Sequence, residues 1–140
     1  MTTPPRPHSR KRDRRRGVAL AEFAVCLPVL ILLVLGVIET CTVVFLKQSL
    51  SIAAYEGAHT AVQPGATAAD VRSICEGILA DRRVAGATVD VTPADLGGLA
   101  EGEPFTVTVS APAAGTAQLS SALYSTTTIS AAATMVQEFR

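Results

Sequence analysis

The sequence predicts a membrane-anchored α+β protein. A long N-terminal transmembrane helix continues into a small extracytoplasmic domain with a short helix and a three- or four-stranded antiparallel sheet. Three observations carry this. Residues 17–38, GVALAEFAVCLPVLILLVLGVI, are almost unbroken apolar sequence. No turn signal follows until Pro64-Gly65, so a helix leaving the membrane has nothing to stop it earlier. Beyond a second helical pattern, short stretches alternate Val with Thr between Gly- and Pro-containing loops.

The apolar run has no charge from Phe23 to Ile38. At helical rise the roughly 20 residues from Val18 extend about 30 Å, the thickness of a bilayer's hydrocarbon core. Apolar residues on every side of a helix suit lipid, and a 140-residue chain is too short to surround such a helix with protein. The charge distribution orients the span. Arg6, Arg10, Lys11, Arg12, Arg14, Arg15 and Arg16 precede it with one acid, Asp13, while the remainder of the chain holds five basic residues and eleven acids. Arg- and Lys-rich ends stay in the cytoplasm, so the chain beyond Ile38 is expected outside the cytoplasmic membrane. The chain thus divides into a basic cytoplasmic leader (1–17), a transmembrane helix (18–38), its extracytoplasmic continuation (39–63) and a small α+β domain (64–140).

Residues 1–16 are rich in Pro and Arg and nearly devoid of apolar side chains, so they are expected to be disordered. Their charge abuts a membrane span with no aromatic residue beside it, which reads as topogenic sequence; no nucleic-acid partner is expected. An ordinary secretory signal has a shorter apolar core and a small-residue cleavage site after it, but Glu39-Thr40-Cys41-Thr42 supplies no such site. Glu39-Thr40 before Cys41 is a poor lipoprotein signal, and Arg14–Arg16 lacks the rest of a twin-arginine pattern.

The boundary resembling a processing site lies before the apolar core. Gly17 follows the basic run, Glu22 is the fifth residue after it and Phe23 the sixth. This G-x-x-x-x-E-F arrangement resembles the type III signal of type IV pilins and pseudopilins, cut after the glycine by a prepilin peptidase. Such a cut would create a charged amine on Val18, one helical turn from Glu22 and on the same face. A carboxylate within a bilayer costs about 2.5–3.5 kcal/mol on insertion scales, which an amine of its own or a neighbouring subunit would offset. The alternative is an acid that snorkels to the cytoplasmic interface. Pro28 removes the backbone hydrogen bond to Ala24; it marks either a site of bending on assembly or an incidental kink.

At 100° per residue beyond Glu39, Val43, Leu46, Leu50, Ala53, Ala54, Gly57 and Ala61 gather on one side, and Cys41, Val44, Phe45, Ile52 and Tyr55 opposite. Ser49 falls in a strip between them with other polar residues. Two apolar faces need two partners: the sheet for one, a neighbouring subunit for the other. The helix should end near Gln63, about 65 Å from Val18. Thr67-Ala-Ala-Asp70 then opens a short amphipathic helix carrying Val71, Ile74, Cys75, Ile78 and Leu79. Strands are expected at 87–92, at 105–110 and within 126–138, with a loop of three acids at 93–104.

The Arg-rich start, the signal motif, a single span continuing into Ala53-Ala54-Tyr55-Glu56-Gly57-Ala58-His59, and a small Val/Thr-alternating sheet resemble the TadE-like proteins. That family belongs to the tight-adherence (Flp) pilus machinery, and its members are classed as pseudopilins or minor pilins. Tyr55 and His59 stand where the family's pattern has arginines. The resemblance implies cleavage after Gly17 by an aspartyl prepilin peptidase, pairing of Glu22 with a subunit amine, and contacts with other pilin or pseudopilin subunits, the pilus assembly machinery and the lipid bilayer. An unprocessed single-pass protein whose outer domain binds a partner is the second reading.

No catalytic role is expected. His59 is the only histidine beyond the span, and no phosphate loop, dinucleotide fingerprint or zinc-protease motif occurs. Three cysteines, Cys26, Cys41 and Cys75, make no complete disulfide set and read as small hydrophobes. No metal or other cofactor is expected, with a calcium role for Asp95, Glu101 and Glu103 as the minor alternative.

Overall fold

The computed structural model describes residues 10–115 and 126–137, with side chains from Gly17 onward in those ranges. The order is α1 (Arg10–Ala61), α2 (Ala68–Asp81), β1 (Thr88–Thr92), β2 (Pro104–Pro112), a single 3-10 turn at Ala113–Gly115, and β3 (Thr128–Val136). Two compact units are present, Met1–Ile38 and Glu39–Arg140.

The first unit is helical throughout its described part. Where sequence predicts disorder up to Arg16, residues 10–16 instead belong to α1. Arg and Lys are good helix formers, and extending a helix already nucleated by the apolar run avoids the nucleation cost. Residues 1–9 lie outside the described part. Pro28 sits inside α1 without ending it. From Val18 to Ile38 every side chain is exposed except Leu35, which is half-buried. This is the one described helix long and apolar enough to cross a membrane.

In the second unit, residues 39–61 of α1 share a core with α2 and the sheet. Leu46, Leu50, Ala53, Ala54, Ala58 and Ala61 are buried with Val71, Cys75 and Leu79 of α2 and Phe105, Val107 and Val109 of β2. Four of those α1 residues are alanines, so the helix approaches its neighbours with little side chain between. Closest is Gly57, where an added Cβ would lie 2.5 Å from Cys75 Sγ and 3.3 Å from Val107 Cγ1. One departure from expectation is Ser49, which is buried in the core. Its hydroxyl donates to the Phe45 carbonyl at 2.8 Å, so the polar group is satisfied by its own helix.

Helix α2 starts where the capping pattern placed it. Thr67 is extended (φ −109°, ψ 159°); its hydroxyl oxygen accepts from the Asp70 N–H at 3.3 Å, and its own N–H donates to Asp70 Oδ2 at 2.9 Å. Val71, Cys75 and Leu79 face the core, whereas Ile74 is 44% exposed and not part of it. The helix ends in a Schellman arrangement: Arg83 N–H donates to the Ala80 carbonyl and Val84 N–H to the Leu79 carbonyl. This geometry holds Arg83 at φ +56°, a position where glycine is usual.

The sheet is an antiparallel meander in the order β1-β2-β3, with Val91 opposite Val107 and Val107 opposite Ala133. Its inner face carries the Val, Phe and Ala positions that the alternation predicts; Thr and Ser occupy most of the other. β2 reaches beyond the predicted 105–110 to a proline at each end, where a missing donor does least harm. The loop between β1 and β2 is tied down by buried Leu96 and Leu99.

Candidate functional site

The processing and assembly residues that the sequence singled out lie on one helix. Gly17, Val18, Glu22, Phe23 and Pro28 occupy consecutive turns of α1 within the first unit. A Cβ at Gly17 would meet nothing within 4 Å, so this glycine is not required by packing. Glycine also lowers helix propensity by about 1 kcal/mol relative to alanine, which favours local unwinding here. Continuous α-helix sets Glu22 one turn beyond Val18. Val18 is 56% and Phe23 55% exposed, and Glu22 is exposed as well. Glu22 is a carboxylate in an otherwise apolar segment, where an unpaired charge is disfavoured.

The second unit adds an exposed apolar strip that continues along α1. Val44, Phe45, Ile52 and Tyr55 are all exposed, Phe45 by 51% and Tyr55 by 56%, on the side away from the core-facing Leu46, Leu50 and Ala53. Both faces read from the sequence are therefore real: one is filled from within the unit, the other is left uncovered. Cys41 lies exposed near the start of this strip.

Two acids of the β1–β2 loop, Asp95 and Glu103, accept backbone hydrogen bonds within it. Asp95 Oδ1 accepts from the Gly97 N–H at 3.1 Å, and Glu103 Oε2 accepts from the Ala100 N–H at 3.1 Å. Among the described residues no group of three His, Cys, Asp or Glu side chains is disposed to hold a metal ion. An open cleft of about 400 Å³, lined by Pro64, Gly65, Thr67, Asp95 and Leu96, was not foreseen, because it is formed by loops whose approach has no local sequence signal. Cys75 is buried, its thiol donates to the Ala53 carbonyl at 3.2 Å, and desolvation pushes its pKa up. It is a core residue and a poor nucleophile.

Comparison with known proteins places these features. No curated protein and no solved structure matches the chain. A family model described as "TadE-like protein" matches residues 17–59. The match starts at the glycine of the signal motif, takes in the whole apolar run, and ends at His59 near the end of α1. Over that segment, which holds Gly17, Val18, Glu22, Phe23 and Pro28, the chain is similar to the TadE-like family model.

Proposed function

We propose that this protein is a pseudopilin- or minor-pilin-like structural component of a tight-adherence pilus or secretion apparatus, matured by a prepilin peptidase that cuts between Gly17 and Val18. The observation that carries the reading is the G-x-x-x-x-E-F motif at the head of a lone, exposed apolar helix, at the point where the TadE-like match begins. In this reading the cationic leader stays in the cytoplasm, α1 crosses the inner membrane, and the second unit is extracytoplasmic. Removal of the leader converts a strongly basic N-terminus into a single amine on Val18. Glu22 pairs with that amine or with the amine of an adjacent subunit, which neutralises a carboxylate that lipid would otherwise penalise. Phe23 and the apolar positions after it then pack subunit against subunit, and the Phe45–Tyr55 strip extends the same contact beyond the membrane.

The test uses the full chain expressed with its cognate machinery. Gly17→Ala is sterically harmless to α1, so its predicted failure to mature reports recognition of the cleavage point and not misfolding. Glu22→Gln is predicted to be cut normally yet to be lost from assembled complexes. Normal maturation of the first variant, or normal assembly of the second, contradicts the proposal.

A further inference from the structure

The outer edge of β3 carries the features of a self-pairing interface. β3 is an edge strand, joined only to β2. At its two ends the ladder continues through Ala113 N–H to the Thr127 carbonyl (2.9 Å) and Gln137 N–H to the Glu103 carbonyl (3.2 Å). Odd-numbered residues therefore form the hydrogen-bonded pairs with β2. By the alternation of an antiparallel ladder, the backbone N–H and C=O groups of Thr128, Ser130, Ala132, Thr134 and Val136 point away from it. Among the described residues one hydrogen bond reaches that row: Lys47 Nζ donates to the Ser130 carbonyl. A carbonyl has two lone pairs, so this contact does not close the edge.

Edge strands are ordinarily protected by charges, prolines or bulges. β3, TISAAATMV, has none of these over its nine residues. Its sequence is also close to a palindrome about Ala132. Set antiparallel to a copy of itself, Ala132 faces Ala132, Ser130 faces Thr134, Ala131 faces Ala133, Ile129 faces Met135 and Thr128 faces Val136. On the exposed face Ser130 meets Thr134, alanine meets alanine and Thr128 meets Val136, two β-branched residues of similar size, and apolar residues meet apolar ones on the core-facing side. The outward-pointing residues also fall opposite one another, as a hydrogen-bonded ladder requires. A single two-fold axis satisfies backbone, face and side-chain size together, which is what an isologous contact demands.

We infer that two copies of this chain associate through their β3 edges, antiparallel and centred on Ala132, joining two three-stranded sheets into one of six. The inference does not depend on cleavage at Gly17 or on the uncovered strip of α1.

The experiment uses the full chain in its native membrane, in a background lacking Cys26 and Cys41. Ala132 is exposed, so substitutions there spare the fold. Across the proposed axis the two Ala132 Cα atoms would be about 5.5 Å apart, within reach of a disulfide. Ala132→Cys should give a disulfide-linked dimer under mild oxidation, whereas Thr88→Cys, exposed on the opposite edge strand, should not. In the same background with no cysteine added, Ala132→Glu and Ala132→Lys each place like charges face to face. Each alone should lower co-precipitation of two differently tagged copies of the chain by roughly fivefold. Co-expression of the two should restore it. No cross-link at Ala132→Cys, equal cross-linking at Thr88→Cys, indifference to both charges, or failure of the mixed pair to recover would overturn the inference.

Discussion

Asp70 shows how one side chain can set both a local structure and a solution property. Its carboxylate accepts from the Thr67 hydroxyl at 2.6 Å and from the Thr67 N–H, and these two bonds, the hydroxyl first, hold its pKa below the ordinary carboxylate value. Because the folded-state pKa is depressed, the stabilisation is fully present above the unfolded value of about 3.9 and is lost as pH falls through the folded one. A thermal-melt series across pH 2–5 should therefore have a shallower acid limb in Asp70→Asn than in the parent. Equal limbs would mean that the capping box contributes no pH dependence. At the same scale, the capping residues were legible in the sequence, since a helix cap is a local signal. Ser49 was not. A serine whose hydroxyl turns back to the carbonyl four residues earlier can occupy a core position, and nothing in its neighbours announces that choice.

For the elements, the question is which face of α1 carries which load. The inner face packs by close approach at Gly57. Gly57→Ala should destabilise the second unit by about 1–3 kcal/mol through overpacking. Cys75→Ala combined with it should recover much of that loss, since the Cys75 sulfur is the nearest atom an added Cβ meets. Denaturant midpoints of the single and double variants measure the coupling, and strict additivity would contradict the packing account. The outer face behaves oppositely. Leu50 is fully buried, and Leu50→Ala should cost about 2–5 kcal/mol, while Phe45→Glu on the exposed side should leave the melting temperature nearly unchanged yet abolish co-purification with other subunits. Both faces could be assigned from 100° periodicity because each is made of several like residues. Two element boundaries were misjudged for a physical reason as well. Helix α1 runs back to Arg10 because propagation is cheap once a helix exists, and β2 runs out to its prolines because the ends of a strand tolerate a missing donor.

Taken whole, the molecule joins an exposed apolar helix to a unit with a closed core of its own. The alternation of Val with Thr was enough to foresee an antiparallel sheet, and the helical spacing after Thr67 enough to foresee α2 packed on one side. What sequence could not convey was anything made by distant segments approaching one another: the cleft beside Pro64, the contact of Lys47 with Ser130, and the outward row of β3. The functional account depends on an event at the other end of the chain, the creation of an amine beside Glu22. Intact mass and N-terminal sequencing of the membrane-extracted protein address it directly. A chain beginning at Val18 is the predicted result; a chain that still begins at Met1 or Thr2 in assembled material would contradict it.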